Sequence, residues 1–170
     1  VGAWCVALTV GCGYSLAGRG SFLPESIKTI GVPMFTNHTS VFDVERRVTE
    51  KVRSELIGRG RYKVLPDSTG VDGLLTGEIS AITLAPASFT EQRQASRIVV
   101  IMTARIEFKE TATSKILWSN PSMQFREEYE VTTGLTAFDP NAFFEQNTNA
   151  YERMAANFAR SIVSAILEAF

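Results

Sequence analysis

Hydrophobic and polar positions divide the chain into a few segments of distinct period. The first ten residues, Val1 to Val10, are almost wholly apolar, and no charge occurs before Arg19. From 13 to 26 the pattern dissolves into Gly13, Gly18, Gly20 and Pro24, which predicts a tether. Ile27 to Met34 then alternates, with Ile30, Val32 and Met34 on one side. It predicts a first strand that ends near Pro33, a residue tolerated at a sheet edge. Over Ser40 to Gly58 the period changes. Val44, Val48, Val52 and Leu56 recur every four residues with Ile57 beside them, while Glu45, Arg46, Arg47, Glu50, Lys51 and Arg53 take the remaining faces. This is an amphipathic helix with a wet, charged side. Ser40 is placed to cap it with Asp43 three residues on, and Gly58 and Gly60 supply a stop.

Beyond a short extended segment at Tyr62, Val64 and Pro66, three long strands are predicted. Leu74 to Leu84 is the first, with Gly77 as a candidate bulge. In the second, Ile98, Val100, Met102, Ala104, Ile106 and Phe108 alternate without a break against Val99, Ile101, Thr103, Arg105, Glu107 and Lys109. The third runs from Ile116, is interrupted at Asn120-Pro121, and resumes with Met123, Phe125, Tyr129 and Val131. Pro121 marks a bulge, a kink or an edge strand. One long helix closes the chain. Asp139-Pro140 opens it, and Tyr151, Met154, Phe158, Ile162, Ala165, Ile166 and Phe170 form its apolar stripe. The order strand, helix, strands, helix predicts an α+β, two-layer domain: a small, mostly antiparallel or mixed four-stranded sheet packed against two helices.

Composition narrows the function. The 170 residues suffice for one domain, and 17 Lys and Arg nearly balance 18 Asp and Glu. Such a balance lacks the basic excess that nucleic-acid binding requires, so no nucleic-acid partner is expected. The apolar run at the start reads as the tail of a secretory signal that ends in Gly11-Cys12. A small residue before the cysteine lets a peptidase hold the extended backbone, and the thiol takes the lipid. The position three before Cys12 is Thr9, with Leu8 one further back, a slight departure from the usual aliphatic pattern. The run is also shorter than the roughly 20 residues a spanning helix needs. The expected organisation is a signal-peptide remnant over 1–11, a lipid-anchored arm over 12–26 and a single domain over 27–170, with the true start upstream of Val1. The only other cysteine, Cys5, lies in the remnant, so neither a disulfide nor a thiolate metal site is expected.

No catalytic constellation stands out. The single histidine, His38, has no second ligand for a metal, and nearby Ser40 and Asp43 are better used at the helix start. Glu127, Glu128 and Glu130 fall on alternating faces of a strand and do not form a focused carboxylate pair. No phosphate loop is present. The expected class is a non-enzymatic binding or structural module with no cofactor and no metal.

Several stretches resemble one family. Gly11-Cys12-Gly13-Tyr14-Ser15-Leu16 with Gly18, Leu23-Pro24, Ile27-Lys28-Thr29-Ile30, Val32-Pro33 and Phe35-Thr36-Asn37 resemble, in that order, the LPS-assembly lipoproteins of the LptE family. So do Arg59-Gly60-Arg61-Tyr62, Leu75-Thr76-Gly77-Glu78-Ile79, Ile116-Leu117-Trp118 and Glu128-Tyr129-Glu130-Val131. The resemblance implies a periplasm-facing outer-membrane lipoprotein that sits within the LptD β-barrel and helps insert lipopolysaccharide into the outer leaflet. It also implies a glycolipid contact through basic residues. Arg93 and Arg97, in or beside the loop between two long strands, are the candidates, because a guanidinium forks onto phosphate. An envelope lipoprotein that activates a cell-wall synthase is the alternative. It would need a longer linker than an arm that spans at most roughly 40–50 Å.

Overall fold

A computed structural model describes residues 23–89, 91, 95–131 and 139–170. In chain order the elements are β1 (Thr29–Gly31), β2 (Thr36–Asn37), α1 (Val44–Gly58), β3 (Lys63–Leu65), β4 (Gly73–Phe89), β5 (Ala95–Glu110), β6 (Ile116–Glu130), α2 (Pro140–Gln146) and α3 (Thr148–Leu167). The strands form one mixed sheet in the order β3-β1-β4-β5-β6, with β2 also on β4. The three long strands are an antiparallel meander. β1 and β2 lie end to end along β4 and parallel to it, with Ile30 opposite Gly73 and Thr36 opposite Glu78. β3 adds a parallel partner to the outside of β1.

The α+β class is as expected, and the sheet is larger than four strands. The extra members, β2 and β3, are two and three residues long, too short for alternation to register. β1 is also shorter than its pattern suggests. Gly31 and Val32 are buried, but the ladder ends at Gly31 and Met34 lies half exposed. The closing helix is two helices. Asp139 and Pro140 begin α2 as expected, the Asp139 carboxylate accepting the Asn141 N–H at 3.0 Å. At Asn147 the backbone leaves the helical region (φ −128°, ψ 61°), and α3 starts anew.

One face of the meander carries the core. Ile98, Val100, Met102, Ala104, Ile106 and Phe108 are all buried, as their alternation predicts. Val44, Val48, Val52 and Leu56 of α1 cover that core, together with Met154, Phe158, Ile162 and Ile166 of α3. Ile57, read as part of the α1 stripe, is exposed, because it lies a further 100° round the helix from Leu56. Thr49, whose polar side chain is fully buried, is satisfied locally. Its hydroxyl donates to the Glu45 carbonyl at 2.5 Å and accepts the Phe35 N–H at 3.0 Å.

Two local details differ from the sequence expectation. Helix α1 begins at Val44, not at Ser40, and Asp43 precedes it in the left-handed region (φ 66°, ψ 10°) with no side-chain cap. The Asn37 amide organises the preceding loop instead. Its Oδ1 accepts the Thr39 N–H and hydroxyl at 2.8 Å, and its Nδ2 donates to the Val41 carbonyl at 2.9 Å. Gly77 is not a bulge, since the register of β4 shifts between Ile79 and Ala81. Gly77 instead leaves room for the Phe35 ring, which lies 2.5 Å from where a Cβ would be. Pro121 does accompany a bulge, and on an edge strand. Ala104 faces Met123 and Ile106 faces Asn120, so β6 carries one extra residue there.

Candidate functional site

Alternation along the meander sends every second side chain to the sheet face opposite the helices. Glu78, Arg97, Arg105, Gln124, Arg126, Glu128 and Glu130 are exposed on that face, around a floor of buried Val99 and half-buried Ile101. Four of the charges sit in two cross-strand pairs. Arg97 lies opposite Glu130, with Nη2 3.2 Å from its carboxylate, and Arg105 lies opposite Glu78 at 3.7 Å. The face is therefore polar and mixed in sign. Among the candidate residues, Arg97 is more than half exposed near the start of β5, where its guanidinium meets both Glu130 and solvent. Arg93 and Cys12 lie outside the described residues.

A second polar constellation lies on the helix side, where β6 meets the α2–α3 junction. Tyr129 is buried there, its ring edge-on to Phe143 at 5.9 Å. The Arg153 guanidinium stands 4.7 Å above the Tyr129 ring, and its Nε is 3.3 Å from Glu127, which also accepts from Asn157 Nδ2 at 3.0 Å. Burial first, then the negative charge of Glu127, push the Tyr129 phenol well above its ordinary range. It stays neutral at physiological pH and can donate a hydrogen bond, but it cannot serve as a base. An open cavity of about 600 Å³ runs past this cluster, lined by Gln146, Asn147, Thr148 and Asn149 among others. The sequence held one sign of the cluster, a glutamate on the inward phase of β6. It held none of the arginine that reaches it from α3.

The third constellation joins α1 to α3. The Asp43 carboxylate pairs with Arg46, whose hydrogen bond holds its pKa below the usual carboxylate range, and lies 3.4 Å from Arg47 Nε. Arg47 also reaches Glu152, and its guanidinium covers the Tyr151 ring at 4.7 Å. Lys51 joins Glu152 at 3.0 Å and is the first cause of the lowered pKa of that glutamate. Arg47 is thus three-quarters buried between helices and not on the wet face that its position suggested. The two carboxylates are ionised and committed to cations, so neither is poised for proton transfer.

His38 is exposed, and its backbone N–H extends the β2–β4 pairing by donating to the Ile79 carbonyl at 2.9 Å. Among the described residues no group of three His, Cys, Asp or Glu could hold a metal ion, and no helix is long and apolar enough to cross a membrane.

The scaffold is a two-sided meander with helices on one face and charge pairs on the other. The model of the LptE, lipopolysaccharide-assembly, family matches residues 27–166. The chain belongs to the LptE family. The match takes in every element from β1 to nearly the end of α3. No curated protein sequence matches the chain. Solved structures share the fold at low identity. A hypothetical protein from Chlamydia trachomatis has a TM-score of 0.54 at 8% identity, covering 83% of this chain and 96% of that one. A protein from Xanthomonas campestris has a TM-score of 0.54 at 9% identity, covering 84% and 85%. A PelC dodecamer from Paraburkholderia phytofirmans has a TM-score of 0.50 at 12% identity, covering 84% and 89%. These likenesses show that an LptE-family sequence shares its architecture with proteins of very different sequence.

Proposed function

We propose that this LptE-family chain is a non-enzymatic lipoprotein of the outer membrane. In this reading a lipid on Cys12 anchors it, the domain seats as a plug in an LptD-like β-barrel, and the pair delivers lipopolysaccharide to the outer leaflet. The family match over 27–166 is the observation that carries the proposal. The polar outer sheet face, with two cross-strand charge pairs, supports it, because the interior of a large membrane barrel is polar. A domain of about 150 residues has a radius of gyration near 15 Å, hence a diameter of about 35–40 Å. Only a barrel toward the upper end of the known range of roughly 8 to 26 strands or more could hold it. An anchor on Cys12 would need two or more acyl chains, since each buried CH₂ contributes only about 0.8 kcal/mol. Arg93 and Arg97 are proposed to assist in holding the anionic glycolipid.

Depletion of the protein in its host tests the proposal. The amount of correctly folded barrel should fall, and sensitivity to large hydrophobic antibiotics should rise. Mass spectrometry of the mature N-terminus should find an acylated Cys12. If depletion left barrel and antibiotic sensitivity unchanged but altered cell-wall cross-linking, the synthase-activator role would replace this one.

A further inference from the structure

The connection from α1 into β3 carries Arg59, Arg61 and Lys63 and no acidic side chain. All three cations are exposed. Arg59 is paired, its Nη2 meeting Glu55 at 2.9 Å. The parallel register sets Lys63 opposite Thr29, and the Lys63 N–H donates to the Lys28 carbonyl at 2.9 Å. Lys28 therefore joins the group at the start of β1. It is exposed as well, and with Arg61 and Tyr62 it lines a cleft of about 390 Å³ that Leu23, Pro24 and Glu25 also border. Three acidic side chains lie near. Asp72 accepts from the Lys28 and Thr29 N–H groups and the Thr29 hydroxyl, and Glu110 accepts from the Ser26 and Thr113 hydroxyls. Glu25 is the one acid in the lining of the cleft. The described chain also enters the domain here. Leu23 is buried, and its N–H donates to Tyr62 Oη at 3.2 Å. The segment before Leu23 thus leaves the domain beside this group of cations.

We infer that this cationic edge, formed by Lys28, Arg61 and Lys63, docks on the anionic phospholipid headgroups of the leaflet that holds the Cys12 lipid. The inference rests on the anchor reading above and deepens it by naming the part of the domain that meets the bilayer. The arm from Cys12 to Leu23 spans at most about 40 Å, and its exit is the point of the domain held nearest the anchor. Each Lys or Arg close to an anionic surface strengthens binding about fivefold, and their long stems let the charges reach headgroups while β1 and β3 stay in the sheet. The acyl chains and the cations are then two signals with different effects, one holding the chain at the membrane and the other orienting it. Docking this way turns the β3 edge of the sheet toward the bilayer and the β6 edge away from it. In the assembled pair that edge lies at the periplasmic rim of the barrel, where the arm passes from plug to leaflet. An acidic protein segment would meet the same cations, but nothing delivers it to this edge, whereas the arm delivers the bilayer.

The test uses the full acylated chain, reconstituted in vesicles of phosphatidylcholine alone or of phosphatidylcholine with phosphatidylglycerol. Ser26→Cys, beside the cleft, carries a donor dye, and an acceptor dye sits on lipid headgroups. Energy transfer should be higher in the phosphatidylglycerol vesicles, and the gain should vanish at 1 M salt, where screening shortens to about 3 Å. Lys28→Glu with Arg61→Glu and Lys63→Glu should abolish the gain and leave the melting temperature unchanged. The milder Lys63→Gln alone should lower the ratio of docked to undocked chain by about fivefold. Arg105→Glu with Arg126→Glu, on the outer sheet face, should keep the gain. Equal transfer in the two kinds of vesicle, a gain that the triple variant keeps, or a gain that the outer-face variant loses equally overturns the docking edge and leaves the anchor reading standing. A mature chain that carries no acyl group and enters neither kind of vesicle overturns both.

Discussion

At the scale of single residues, the stability of the domain depends on a few side chains that touch everything around them. Phe158 is fully buried and packs against Phe125 with ring centroids 5.8 Å apart. Phe158→Ala should cost about 3–5 kcal/mol in a denaturant titration. Glu50→Ala, in an exposed ion pair on α1, should stay within about 0.5 kcal/mol. Thr49 makes a sharper case because its methyl and hydroxyl do different work. Thr49→Val keeps the volume but leaves the buried Phe35 N–H without an acceptor, and a loss of about 1–3 kcal/mol is expected. Phe158 could be read from the helical stripe, since period reports which face is buried. Arg47 could not. It flanks the stripe, and only the arrival of Glu152 and Tyr151 from α3 decides that its long side chain turns inward. Phe42 was equally hidden, since nothing local indicates that a phenylalanine next to Val41 will be held out in solvent.

At the scale of elements, long regular segments were legible and short long-range pairings were not. β5 announces itself through six buried alternating residues, and a strand of that length leaves little doubt about its period. β1, β2 and β3 are held by partners distant in sequence, so their bounds depend on contacts that no local window contains. Asp72 shows how one such contact is made. Its Oδ2 accepts from the Lys28 N–H at 3.0 Å and from the Thr29 N–H and hydroxyl at 2.8 and 2.6 Å, which pins β1 beside the start of β4. These bonds, the Thr29 hydroxyl first, lower the Asp72 pKa. A carboxylate depressed in the folded state contributes stability above its unfolded pKa, about 3.9, and loses it as pH falls through the folded value. The melting temperature should therefore decline as pH drops below about 4, and Asp72→Asn should flatten that decline. Gly77→Ala tests the neighbouring contact. The new methyl would press on the buried Phe35 ring, at an expected cost of about 1–3 kcal/mol.

At the scale of the whole molecule, family and fold class were readable because many weak local signals agreed, while the glycolipid contact is a proposal that follows from the family. Arg97 is exposed but shares Glu130, so its pull on a phosphate competes with a neighbour already in place. Arg93→Glu with Arg97→Glu should weaken lipopolysaccharide binding and leave the melting temperature nearly unchanged, because exposed pairs contribute roughly 0–1 kcal/mol. The difference between wild type and variant should shrink in high salt, as screening shortens to about 3 Å at 1 M. Binding measured across a salt series checks both statements.

The mixed sheet also sets an order of assembly. Neighbouring strands β4, β5 and β6 pair through short connections, so their ladder can close early at little entropic expense. β1 must wait, because its partner residues at 65 and 73 lie far downstream of residues 30 and 31, and parallel pairing across such a span is slow. While the chain is made from its N-terminus, β1 emerges before the meander and acquires its place in the sheet after it. In that interval β1 lacks its place beside β4, until the meander has formed a side for it to join.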